Sequence, residues 1–325
     1  MSENRAPTEH LTPNQRAGRR FKRHRPAMLG ALFLSLLFLL VLAWPLLHQP
    51  AVASRMPAVL QALTDLPDLG SDAQFAAPSA RYWFGTDVHG RNLLSRMMSG
   101  ARVSLLVGMV GAFVALIIGV TWGAVAGYVG GRWDNWMMRA VDVLYSLPSI
   151  LFVIVLVAAF NAHLRTWLTQ HYGPVAGVYA PMIFLFIGLG AVSWLTMARI
   201  VRGQVLSLRG RQFVDASRSL GASHARILCR HILPNILGVV IVYLTLTVPA
   251  IILYESFLSF LGLGIQPPMA SWGTLISEGA GQINPVRIYW WLLVFPCALL
   301  ITTLLALNFL GDGLRDAYDP RGDRG

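Results

Sequence analysis

Apolar positions in this chain fall in long unbroken runs. Stretches near 27–47, 103–129, 143–162, 174–198, 236–258 and 288–310 are each apolar over some twenty residues or more, the length a helix needs to cross the ~30 Å hydrocarbon core of a bilayer. Lipid offers no partners to backbone N–H and C=O groups, so a spanning segment satisfies them internally as a helix or closes into a barrel. Barrel strands would read as alternating segments of about ten residues, whereas "LFLSLLFLLVLAW" at 32–44 is continuously apolar. The pattern predicts an all-α membrane protein with six transmembrane helices.

The polar intervals orient these spans. Residues 16–25, "RAGRRFKRHR", hold six Lys or Arg and no acid, and 199–230 carry seven arginines against the single acid Asp215. Basic loops are retained on the cytoplasmic side, which assigns a basic cytoplasmic tail to 1–26, the first span to 27–47, and a periplasmic segment to 48–102. A five-helix core with an inside loop at 199–235 then fills 103–310, and 311–325 form a second cytoplasmic tail. Loops 130–142 and 199–235 fall inside, 163–173 and 259–287 outside. Arg91, Arg96 and Arg102 stand against this trend, in a segment about as long as the rule covers. "AVA" at 51–53 looks like a signal-cleavage site, but signal cores run to only ~7–15 residues, so the first span is expected to be retained.

Composition agrees: charged residues make up 13% of the chain against about 25% in soluble domains. The net charge of +11 does not point to nucleic acid, because the basic residues lie between spans and not on one module with interleaved aromatics. Cys229 and Cys297 fall at different depths, which excludes a disulfide framework. Lys22 is the only lysine and follows no glycine-rich loop, so a phosphate-cradling ATPase site is not expected. The histidines are scattered without metal-ligand spacing, and the chain is expected to be neither an enzyme nor a holder of a cofactor or metal.

Within the spans, Gly119, Gly123 and Gly127 recur every four residues and predict close helix packing. Pro45, Pro148, Pro181, Pro249 and Pro296 each remove a backbone donor, so those helices should bend or break, as packing devices or along a substrate path. Glu255 is the one carboxylate inside an apolar run, "VPAIILYESFLSFLGLG". At 1.5 Å per residue it sits ~28 Å from the start of its span, near the outer boundary. It reads either as an interfacial acid or, with Ser256 and Pro249, as part of a substrate path. Asp142 reads as interfacial at the inner end.

The stretch "FVDASRSLGASHARILCRHILPN" at 213–235 is polar between two apolar runs. Residues 213–220 form a short helix stopped at Gly221, where a missing Cβ permits a left-handed turn. From Ala225 a second helix places Ala225, Leu228, Cys229 and Ile232 on one face, with Arg226 and Arg230 on the other, and Pro234 closes the unit. Two short helices joined at a glycine suit a lever that docks on a soluble partner; an ordinary basic loop is the alternative.

This stretch resembles the EAA loop of ABC-importer permeases, with Asp215, Ala216, Ser217, Gly221, Leu233 and Pro234 in the characteristic places and Ala222 and His231 between them. Asp215 for glutamate, Ser217 for alanine and His231 for isoleucine depart from the usual pattern. "GTDVHGRNLLSRMMSGARVSLLVG" (85–108), "SWLTMARIVRGQVLSL" (193–208), "ESFLSFLGLGIQPPMASWG" (255–273) and "NFLGDGLRDAYDP" (308–320) are similar to the C-type permease subunit of dipeptide, oligopeptide and nickel importers, closest to the oligopeptide branch. The resemblance implies a type I permease core with a cytoplasmic EAA coupling loop, in the inner membrane with both termini cytoplasmic. It implies a homologous second permease as heterodimer partner, two ATP-binding subunits that hold ATP and Mg, and a periplasmic or lipid-anchored peptide-binding protein. Membrane lipid is the remaining partner. Dipeptides, nickel, haem or glutathione are alternative cargoes, and a proton-coupled carrier using Asp142 or Glu255 or a membrane scaffold are alternatives of a different class.

Overall fold

All the apolar runs become helices. The computed structural model describes residues 13–47, 69–285 and 287–318, and has six helices long and apolar enough to cross a membrane. Among the described residues the only strand-like pairings are two isolated bridges. A basic helix α1 (Pro13–Arg23) leads into the first span α2 (Arg25–Leu47). There follow α3 (Leu93–Val129), α4 (Gly131–Ser146), α5 (Ser149–Tyr172) and α6 (Ala180–Arg209). The short α7 (Gln212–Ser219) precedes α8 (His224–Phe260), α9 (Trp272–Gly281) and α10 (Trp291–Tyr318). The "AVA" stretch at 51–53 and the final Asp319 and Pro320 of the last quoted motif lie outside the described residues.

Helix α3 is central and packs along α6. A Cβ on Gly123 would lie 2.3 Å from the Ala198 carbonyl oxygen, one on Gly119 2.6 Å from Met197 Cβ, and one on Gly127 2.8 Å from the Arg202 carbonyl oxygen. The glycine stripe is therefore the seam that brings the two backbones together. Three of the five prolines do not break their helices: Pro45, Pro249 and Pro296 stay within α2, α8 and α10, whereas Pro148 stands in the break between α4 and α5, inside the stretch expected as one span at 143–162, and Pro181 opens α6 just after a turn at 178–179.

Several boundaries differ from the pattern-based expectation, and each has an electrostatic or packing reason. Helix α3 begins ten residues early, at Leu93 and not at 103, because Arg96 is almost fully buried yet neutralised. Its guanidinium donates to Asp87 at 2.9 Å and to both carboxylate oxygens of Glu278, while Arg91 holds the same Asp87 at 2.7 Å. Helix α6 runs on to Arg209 through the segment expected as loop, because the interval 130–142 is itself helical, as α4, and supplies acids. Arg202 forks onto Asp134 at 2.6 and 2.8 Å, and Arg199 reaches Asp142 at 2.8 Å with its guanidinium 4.1 Å over the Tyr145 ring. Arg209 donates at 3.2 Å to the carbonyls of Gly127 and Tyr128, the open end of α3. Helix α10 likewise continues past 310 to Tyr318.

The ends of the molecule differ in character. One carries α1, α4, α7 and the last turns of α10, joined by His24–Asp316 at 3.7 Å and by the Tyr318 ring packed on Gly238. The opposite end carries residues 69–92, α9 and the Asp87–Arg91–Arg96–Glu278 knot.

Candidate coupling surface

The polar stretch between α6 and α8 folds as a knuckle. Arg211, extended, starts α7, and α7 ends in a paired closure: Gly221 N–H donates to the Arg218 carbonyl at 2.9 Å and Ala222 N–H to the Ser217 carbonyl at 3.1 Å. This closure requires a left-handed residue at the turn, and Gly221 has φ +78°. Ser223 then caps α8, its hydroxyl accepting from Arg226 N–H at 3.4 Å. The predicted short helix and glycine stop are both present.

The knuckle is anchored underneath and open on top. Val214 is fully buried in a cluster with Val201 and Val205 of α6 and Ile227, Ile232 and Ile236 of α8. Tyr128, at the end of α3, places its hydroxyl 2.9 Å from His224 Nδ1. On the outer side, Phe213, Asp215, Ala216 and Gly221 are exposed and Leu220 is 88% exposed. Asp215 and Arg218 approach at 3.5 Å, a surface pair worth little. Beside them lies a cleft of 660 Å³ lined by Tyr128, Arg209, Asp215, Arg218 and His224. An apolar residue as exposed as Leu220, on a tip fixed from below, gains by burial only against another molecule.

The sequence-predicted loop residues divide between tip and hinge. Asp215, Ala216 and Gly221 are exposed on the tip, with Ser217 and Ala222 half-buried in its turn. His231 and Leu233 are half-buried and Pro234 is exposed along α8. Two expectations need correction. Pro234 does not close the unit, because the chain continues as one helix to Phe260. A wide turn at Leu228–Ile232, in which Leu233 N–H reaches the Leu228 carbonyl, accommodates the missing proline donor. That turn also shifts the apolar face: Ile227 and Ile232 are the buried pair, five residues apart, while Ala225 and Cys229 are exposed. Val214 and Leu220 escaped the pattern reading; their places on either side of the five residues Asp215–Ser219 were the available signal. Nothing in the sequence marked Tyr128.

Glu255, Ser256 and Pro249, read as an outer path or interface, are all buried in the packing of this chain. Glu255 accepts from the hydroxyls of Ser104 at 2.8 Å and Ser259 at 2.7 Å. It faces α3 and the α8–α9 turn, enclosed by serines from two helices. Asp142 is ion-paired at the α7 end.

Comparison with known proteins places this architecture among relatives. Residues 119–324 match a family described as "Binding-protein-dependent transport system inner membrane component". Residues 12–62 match "N-terminal TM domain of oligopeptide transport permease C". The oligopeptide transport system permease protein OppC of Escherichia coli K12 is 46% identical over 307 residues, spanning 94% of this chain and 91% of that protein. The dipeptide transport system permease protein DppC of Bacillus subtilis is 43% identical over 96% of this chain and 87% of its own. A solved structure of the MetNI methionine ABC transporter in an inward-facing conformation superposes with a TM-score of 0.51 at 20% identity, covering 70% of this chain and 98% of that one, a likeness of fold.

Proposed function

The chain belongs to the family of binding-protein-dependent transport system inner membrane components, and we propose that within it this protein is the permease subunit of an ATP-driven importer that carries oligopeptides across the cytoplasmic membrane. The cargo follows from the 46% identity to an oligopeptide permease along nearly the whole chain. The 43% identical dipeptide permease makes shorter peptides the second reading.

The observation that carries the mechanism is the α7 knuckle: buried at Val214 and exposed at Leu220 and Ala216. In this reading two ATP-binding subunits seat against such knuckles, one on this chain and one on a homologous permease partner. Their closure, driven by ATP and Mg held in those subunits, pushes on Asp215–Gly221. The push passes to α6 and α8 through the Val214 cluster and turns the spans between inward- and outward-open states. The chain transmits force and performs no hydrolysis. A peptide-binding protein delivers cargo at the opposite end. Placing α1, α4, α7 and the end of α10 in the cytoplasm accords with the arginines of α1 and of 199–230.

A strain lacking this chain should fail to take up labelled di- to pentapeptides, and the tagged protein should copurify with ATP-binding subunits. Normal uptake in that strain together with purification free of any ATPase would overturn the reading.

A further inference from the structure

The 37-residue α8 is one continuous helix whose first turn belongs to the knuckle and whose far end carries Glu255. At 1.5 Å per residue it is ~55 Å long, more than the bilayer core requires. At the far end the chain reverses through Leu261–Ser271 and re-enters as α9. Two backbone donors of this reversal have lost helical partners: Ile265 N–H and Trp272 N–H. Ile265 N–H donates to Ser259 Oγ at 3.0 Å and Trp272 N–H to Ser104 Oγ at 3.3 Å. Each of those hydroxyls in turn gives its own proton to Glu255, Ser259 to Oε1 at 2.7 Å and Ser104 to Oε2 at 2.8 Å.

One buried carboxylate thus orients two serines, one holding the middle of the reversal and the other its return into α9. With its proton committed to Glu255, each serine oxygen presents lone pairs to the backbone. The fit is close on the backbone side as well. A Cβ on Gly273 would lie 2.2 Å from the Ser256 carbonyl oxygen and one on Gly264 2.2 Å from Ser259 Oγ, so the reversal sits directly on α8. Ser277 adds a hydrogen bond to the Phe260 carbonyl at 2.8 Å.

We propose that Glu255 is a positioning residue that clamps the outer reversal and α9 onto α8 and α3, so that displacement of α8 at the knuckle is delivered to the outer face. The proposal rests on the importer reading for the origin of the displacement; the clamp itself does not. Its two arms are separable. In the purified complex, hydrogen exchange of the Ile265 amide should accelerate about tenfold in Ser259→Ala with Trp272 unchanged, and the reverse should hold in Ser104→Ala, as loss of one hydrogen bond implies. Glu255→Leu should release both amides and raise the ATP hydrolysed per peptide imported at least about fivefold, while Glu255→Gln, which keeps one acceptor oxygen, should lie between.

If Glu255→Leu fails to assemble, the two serine variants carry the same test at lower cost. Unchanged exchange in both would overturn the clamp. Arm-selective exchange with an unaltered hydrolysis-to-uptake ratio in every variant would overturn its role in transmission and leave the importer reading intact. Absence of any ATPase in the complex would overturn that reading and leave the exchange result standing.

Discussion

At Gly221 the backbone φ of +78° costs a glycine nothing, whereas a β-branched residue is excluded from that region. A Cβ there meets nothing within 4 Å, so the effect of Gly221→Val is conformational and local, about 1–2 kcal/mol. The spans should insert normally and ATP hydrolysis should persist, while peptide uptake falls roughly tenfold, the consequence of that energy for a coupling step; Gly221→Asn should be milder because Asn tolerates the left-handed region. Transport and hydrolysis assays on reconstituted complex check both. Arg202 supplies the second test at this scale. It forks onto Asp134, which is buried while Arg202 is only partly so. Arg202→Met leaves that carboxylate unpaired and should cost about 1–3 kcal/mol, seen as a lower melting temperature, with Arg202→Lys recovering part of the loss because lysine cannot form the fork.

Helices α3 and α6 meet along a stripe where α3 presents only glycine hydrogens to the backbone and side chains of α6. Gly123→Leu places a side chain where the Ala198 carbonyl stands 2.3 Å from the first carbon. The seam must open, which for overpacking costs about 1–3 kcal/mol or more, and detergent-solubilised protein should lose thermal stability and yield. Gly131→Ala, whose Cβ meets nothing within 4 Å, is the control for glycine loss without a seam; its positive φ confines the penalty to local strain. Element existence was legible here because uninterrupted apolar runs admit no other solution in lipid. Element ends were not, since ion-paired arginines look like boundaries until their partners are known. Arg96 pairs with Glu278 and Arg202 with Asp134, far along the chain, and no local pattern contains them. The wide turn at Leu228–Ile232 defeated the 3.6-residue reading of α8 for a related reason: with the turn widened, Ile232 keeps its place on the buried face but is joined there by Ile227, while Ala225 and Cys229 are exposed.

Across the whole molecule, the knuckle and the outer reversal lie at opposite ends, joined by α3, α6 and α8. The short helix, its glycine stop and the tip residues Asp215, Ala216 and Gly221 could be read from the sequence; the exposed Leu220, the anchor Val214 and the burial of Glu255 could not, because they depend on which helices stand next to which. Coupling across this distance is reciprocal in binding free energy. Loaded binding protein should therefore raise nucleotide affinity, and hydrolysis by the reconstituted complex should increase when peptide is added at the outer side. Orientation has its own check. Cys229 is exposed near the knuckle and Cys297 is half-buried within α10, so an impermeant maleimide should modify Cys229 in inverted vesicles and not in intact spheroplasts. The most direct measurement is a cross-link from the tip itself. With Cys229→Ser as background, a short photo-crosslinker on Leu220→Cys should join this chain to an ATP-binding subunit, and the same reagent on an exposed residue at the opposite end, Trp290→Cys, should not. A Leu220 adduct only with lipid or the peptide-binding protein, or adducts with the ATPase from position 290, would contradict the account.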